Sequence, residues 1–310
     1  MGLRIRTNIA SLNAQRRLGQ TTDALQGHMN RLSSGQRINK AADDAAGLAI
    51  SEQLRADVRG LNQAKRNAMD GVSLVQTAEG GLVETTNMLV RLRELSVQAA
   101  SDTVGNTERS FLNQEYSALK NEIDRIATST EFNGQRLLTG DVELPEELQT
   151  GANSYPLEVQ IGKDYFNDSD SVENDNPVNI IKIDLQNINA FAQGDNSLQL
   201  NEALDGSEIE GIDNKRSAQL SISRLDSAIT RVNEYRAFLG ALQNRLGSTI
   251  NNLGVQTENI ETARSRIRDT DFAEETANFT KMNILQQAGT ATLSQANAQP
   301  QIALSLLQGM

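Results

Sequence analysis

LDSAITRVNEYRAFLGALQNRLGSTINNLGVQTENIETARSRI, from Leu225 to Ile267, sets Leu225, Val232, Leu239, Leu246, Leu253, Ile260 and Ile267 at strict seven-residue spacing. Apolar residues at that interval form one stripe along a helix, the seam of a coiled-coil contact. The other half of the chain holds a second such series: Leu54, Leu61, Ala68, Val75, Leu82 and Leu89. Leu112, Tyr116, Leu119, Ile123 and Ile126 form a third, shorter seam with alternating steps of four and three.

Helix geometry converts these runs into lengths. Residues 54–96 span roughly 65 Å and residues 220–268 about 73 Å at about 1.5 Å per residue. The lengths match, so one helix can lie along the other, and the short third helix folds back after a turn near Asp102 to Thr107. The expected fold is mainly α: an elongated antiparallel helical bundle or coiled coil built from both chain halves. The seams specify helices and their faces, not a task, and an ordinary intracellular bundle would carry the same signal.

Composition agrees with helix-on-helix packing. Aromatic residues make up 4% of the chain, Trp is absent, and the first aromatic is Phe111. With no Cys and one His, His28, the chain offers no thiolate site and no site needing two imidazoles, such as the metalloprotease pair. Gly80-Gly81 lies inside a seam with no Lys-Ser or Lys-Thr after it, so it is no phosphate loop. Two adjacent carboxylates, Asp43 and Asp44, read as helix caps more readily than as a metal site. No catalytic, cofactor-binding or metal-ligating set emerges, and the expectation is a protein that is not an enzyme.

Charge divides the chain. From Asp141 to Asp213, 17 acidic residues stand against Lys163 and Lys182, a net of −15, while the remainder nets +4. An acidic stretch between two packing arms reads as a solvated insert, and it argues against a nucleic-acid partner. Within it, Leu157 to Ile161 and Ile181 to Leu185 alternate as short strands, a small β-hairpin region, and Asn133-Gly134 marks a further turn. Met1 to Leu12 contains no unbroken apolar stretch, and no run reaches the roughly 20 apolar residues of a membrane span. The expectation is a chain without membrane insertion, soluble or exported without a cleaved signal.

The ends differ from the arms. Residues 1–40 hold seven basic residues and one acid, Asp23, whereas residues 282–310 hold no charged side chain. Leu18, Leu25 and Leu32 repeat at sevens near the N-terminus. Phe279, Met282, Leu293, Ala296, Ala303 and Leu307 share one heptad lattice in the tail, with Gln286, Gly289 and Pro300 between. Each end is an amphipathic helix with a thin stripe, marginal alone in water. Paired, and stacked against further copies, the ends can order. This makes them an assembly device; frayed termini are the simpler alternative.

RLSSGQRINKAADDAAGLAISEQL (Arg31 to Leu54) resembles the signature of bacterial flagellin, as do RIRTNIASLNAQRRL from Arg4, LVRLRELSVQAAS (Leu89 to Ser101), NEIDRIATSTEFNGQRLL (Asn121 to Leu138), LQTGANS (Leu148 to Ser154) and the tail TANFTKMNILQQAGTATLSQANAQPQIALSLL (Thr276 to Leu307). The resemblance covers both ends and most of both arms, in the family's order. It implies an inner domain of paired terminal helices, 1–43 and 265–310, disordered in the monomer. It also implies a helical rod domain, 44–154 and 214–264, and a reduced variable segment, 155–213. Ser33, Ser34, Gly35, Asp43 and Asp44 would form the spoke between the first two, with Gly35 allowing the turn and Asp43 or Asp44 capping the next helix.

The function implied is self-assembly into the extracellular flagellar filament, a homopolymer of many copies that drives swimming. Subunits would leave unfolded through type III export, held beforehand by an export chaperone on the C-terminal helix, and meet cap and hook-junction proteins. Toll-like receptor 5 is a further family partner, and the residues carried over for it are Arg91, Leu95 and Glu115. A hook–filament junction adaptor with flagellin-like ends is the alternative. The intact spoke and the QANAQPQIALSLL tail favour the filament subunit.

Overall fold

The structure is a computed structural model. It describes residues 8–140, 156–164, 178–185, 188–192, 197–200 and 211–308, with side chains as far as Gln299. The chain is mainly helical: α1 (Ile9–Ser34), α2 (Ala45–Ala99), α3 (Asn106–Ser129), α4 (Lys215–Arg268) and α5 (Phe272–Gln308). Among the described residues, four short strands, β1 (Glu131–Phe132), β2 (Gln135–Arg136), β3 (Leu157–Gln160) and β4 (Ile180–Ile183), form two antiparallel pairs, β1 with β2 and β3 with β4. Two compact units result: a terminal unit of residues 1–58 and 258–310, and a central unit of residues 59–257.

In the central unit α2 and α4 run antiparallel. Leu246 lies beside Gly71, Gln243 donates to Glu79 at 2.7 Å, and Arg93 pairs with Asp226 at 2.6 Å. The heptad residues form the core: Leu61, Ala68, Val75, Leu82 and Leu89 from α2 and Leu225, Val232, Leu239, Leu246 and Leu253 from α4 are all buried. Further residues share the buried face, among them Ala78 and Leu92 on α2 and Ala218 and Ala228 on α4. The stripe is therefore wider than a strict two-position seam, as a helix with more than one neighbour requires.

That second neighbour is α3, which folds back along α2 and buries Tyr116, Ile123 and Ala127. Its first turn is tied down by Arg109, a buried arginine whose guanidinium donates to the Ala99 and Ser101 carbonyls at 2.8 Å each. The Ala99 carbonyl, at the last residue of α2, has no partner along its own helix, and Ser101 lies in the turn just beyond. One turn beyond Tyr116, buried Lys120 places its ammonium 5.8 Å from the ring centroid. Burial lowers the Lys120 pKa, opposed by Asp124, and burial raises the Asp124 pKa, opposed by the Ala192 N–H and Lys120.

The acidic stretch is stitched to the helices by side-chain bonds to its backbone. Ala192 N–H donates to Asp124 at 2.6 Å and Ile212 N–H to Asn113 at 2.9 Å. From α4, Arg224 donates to the Gln199 carbonyl at 2.7 Å and Arg231 to the Ser197 carbonyl. The β1–β2 turn is Asn133-Gly134, both at positive φ (51° and 79°), as a two-residue hairpin of mirror-image type needs.

Candidate functional site

The terminal unit pairs α1 with α5. Residues far apart in sequence meet in antiparallel order: Asn8 donates to the Ala296 carbonyl at 2.8 Å, and Ser11 donates to Asn297 at 2.7 Å. Nearer the other end, His28 Nδ1 lies 2.7 Å from Glu275 Oε1. The helices approach closely, with Cα atoms within 8 Å across the pair. Small residues permit this: a Cβ on Gly289 would sit 3.2 Å from Leu18 Cδ1. A groove of about 330 Å³ runs there, lined in part by Ala14, Leu18, Ala288 and Gly289.

Little of the pair is closed. Among the described residues of α1 only Ser11 is buried, and among the described side chains of α5 only Glu275 and Ala296. Leu18, Leu25, Leu32, Phe279, Met282 and Leu293 are half-buried, and Leu307 lies in α5 past the described side chains. Ile9, Leu12, Met29, Phe272, Ile284 and Leu285 are 46–60% exposed.

The helix ends account for the junction. Asn8 caps α1, its side chain accepting from Ser11 N–H, and Gly35 ends it at φ 67° with its N–H on the Arg31 carbonyl. Gly35 suits that left-handed position because it has no Cβ. Asp44 accepts from Gly47 N–H at 2.9 Å and so caps α2, while Asp43 accepts from Asn39 and Lys40 N–H at 3.1 and 2.9 Å and closes the preceding turn. Ser34 Oγ accepts from Asn39 Nδ2 at 2.7 Å, and Ser33 is exposed.

The spoke is also bonded to the start of the second arm. Gln36 and Asp269 form an isolated bridge, Arg37 N–H donates to Arg268 and Thr270 N–H to Gly35. The Arg37 guanidinium donates to the Ile267 carbonyl at 2.7 Å, so the end of α4 is capped from across the chain. Arg268 in turn pairs with Glu52. Asp271 caps α5, accepting from Ala273 N–H at 2.8 Å, and Glu274 and Glu275 sit in the first turn, where the helix dipole favours them. Nearby, Leu54 and Ile260 are half-buried.

A second constellation lies in the central unit. Arg91 is bound by Glu115 at 2.8 Å and Glu94 at 3.0 Å, and all three are exposed. Glu115 and then Glu94 raise the Arg91 pKa above its usual value. Leu95, one turn on, is 1% exposed and belongs to the core. The structure therefore brings Arg91 and Glu115 together on the surface and turns Leu95 inward. No group of His, Cys, Asp and Glu that could hold a metal occurs among the described residues, and no described helix is long and apolar enough to cross a membrane.

Both halves of the chain that supply these paired helices match known sequences. Residues 5–143 match the bacterial flagellin N-terminal helical region, and residues 222–307 match the bacterial flagellin C-terminal helical region. A flagellin of Halalkalibacterium halodurans is 43% identical over 98% of this chain and 99% of its own. The chain belongs to the bacterial flagellin family. Another relative, the flagellar filament 30.7 kDa core protein of Treponema maltophilum, is 42% identical over the same shares of the two chains. Among solved structures, a putative flagellar hook-associated protein from Vibrio parahaemolyticus has a TM-score of 0.56 at 13% identity, over 73% of this chain and all of that one, a likeness of fold alone. The flagellin family is a structural one, and this flagellin is a filament structural subunit.

Proposed function

We propose that this flagellin leaves the cell unfolded and polymerises through α1 and α5 into the extracellular filament. The observation that carries this reading is the incomplete closure of the terminal pair. Six large apolar residues stand open on helices that bury almost nothing between them. An isolated pair of this kind gains too little from burial to offset the ordering of its backbone. Sister copies would cover the same residues in a filament. The residues 1–43 and 265–310 then act as the inner domain, with Ser33 to Asp44 as the spoke, 44–154 and 214–264 as the rod domain and 155–213 as the reduced variable region.

The remaining partners are carried over from the family resemblance. The uncharged tail after Lys281 exposes Ile284 and Leu285, a surface suited to an export chaperone before secretion and to cap and hook-junction proteins after it. Toll-like receptor 5 would read Arg91 and Glu115 directly, and Leu95 would act by holding α2 on the core. The role is structural, not catalytic.

Electron microscopy of the purified chain, left to polymerise from seeds, tests the reading. Long filaments built from this protein alone are expected. Persistent monomers under seeded conditions would count against assembly through the ends.

A further inference from the structure

Apolar contacts leave the orientation of α5 about its own axis poorly specified. The helix has almost no amphipathic bias. Phe279, Met282 and Leu293 are half-buried and Leu285 lines the groove beside Leu18 and Gly289, yet Ile284 is as large and points away. Rolling α5 by about half a turn would bring Ile284 to the face those three residues hold. Sliding it is a different matter: the link from α4 is confined to residues 269–271, and the Gln36–Asp269 bridge holds its start. Axial position is set by the chain; rotational phase is not.

We propose that two polar contacts set this phase, and thereby decide which face of α5 is offered outward. The first is Glu275, which is 8% exposed, against His28 at 2.7 Å, with Arg31 at 3.8 Å from the same oxygen. A rolled helix would take that carboxylate away from His28 and Arg31 and leave those contacts unmade, a loss that falls on one orientation and not the other. A single buried polar position in an otherwise apolar seam sets pairing in coiled coils by the same logic. The second contact is buried Ser11 donating to Asn297, near the far end of the described pair. With both made, Gly289 faces Leu18 and Ile284 faces out. The inference rests on the terminal pair forming in the assembled protein.

The chain contains no Cys, so engineered pairs report cleanly. Leu18→Cys with Gly289→Cys reads the observed phase. Leu18→Cys with Ala291→Cys reads the rolled one, because Ala291 is exposed and lies about 200° further round the helix. A disulfide needs Cα atoms within about 7 Å, so the two pairs exclude each other at any one phase. In polymerised full-length protein the first pair is expected to exceed the second by about ten-fold, a preference of about 1.4 kcal/mol. Glu275→Leu together with Ser11→Ala should bring the two yields within about two-fold of each other, whereas Glu275→Gln, which still accepts from His28, should keep the preference. A parental preference that survives the double substitution overturns the phase contacts alone. Parallel loss of both cross-links on double substitution also overturns them, since it would make the contacts adhesive and not selective. Absence of both cross-links in the parent background would sink the terminal pairing, and the phase contacts with it.

Discussion

Leu246 of the central unit and Leu18 of the terminal pair are both heptad leucines, and their surroundings differ. Leu246 is fully enclosed, packed where α2, α4 and the β3–β4 pair meet beside Gly71. Leu18 meets Gly289 on one side and stays half-exposed on the other. A seven-residue repeat guarantees a stripe; it does not guarantee enough neighbours to close it. In the central unit a third helix and the stitched acidic stretch supply them. In the terminal pair two helices meet alone, and two rods in contact cover less than half of each other's surface. The central unit thus holds a core that is complete within one chain, and the terminal pair holds half of a core that, on the proposed assembly, sister chains would complete.

Deleting residues 282–310 should break the comparison most severely. Polymerisation is expected to stop altogether, while the helicity and melting of residues 59–257 persist, because none of the central core residues lies in the tail. Filaments of normal form from the truncated chain would show that the tail is dispensable. Leu246→Asp reverses the roles. It removes an enclosed side chain, which costs about 3 kcal/mol, and adds a carboxylate that must be desolvated or protonated. A large loss of thermal stability in the monomer is expected, and an unchanged melting curve would mean that the enclosed seam carries no stability.

Gly81→Ala tests the tightness of that closure. A methyl there would lie 2.6 Å from Leu138 Cδ1 and 2.8 Å from Thr130 Oγ1, and overpacking of this kind costs about 1–3 kcal/mol. Gly19, Gly27 and Gly80 have open space at the same test point. Gly27→Ala on α1 should therefore stabilise its helix slightly, through the better propensity of Ala alone. Chemical denaturation of the central unit should register the first change and not the second.

The seams were legible because burial repeats at a fixed interval: every heptad residue from Leu225 to Leu253 is enclosed. The spoke was legible in its Gly35 turn and its paired aspartates, whose division of labour needed coordinates. Arg109, Lys120, Arg224 and Glu275 were not legible as buried residues. The partners of Arg109, Arg224 and Glu275 are carbonyls or an imidazole brought close only by the tertiary fold, and no local spacing announces them; the Tyr116 ring stands at helical spacing from Lys120, whose burial comes from the packing around α3. Residues carried over for receptor recognition gave identities without directions. Leu95 follows Arg91 by one turn, yet it lies on the core side with Leu92 and Ala99. The i, i+3, i+7 spacing of those three could have placed it there.

The smallest effect falls in the spoke, and it is a matter of pH. The N–H groups of Lys40 and then Asn39 hold the Asp43 carboxyl below its ordinary value of 3.8. A carboxyl whose folded pKa is depressed stabilises the turn above the unfolded value, and that contribution is lost as pH falls through the lower folded value. The amide signals of Asn39 and Lys40 should therefore titrate with a midpoint below 3.8, and Asp43→Asn should abolish the titration while α2 keeps its Asp44 cap. The carboxyl is solvent-exposed, so the melting of the central unit should not follow it. A midpoint at or above 3.8 would mean that the turn is not formed in solution. The terminal unit would then differ from the central one at its base as well as along its open helices.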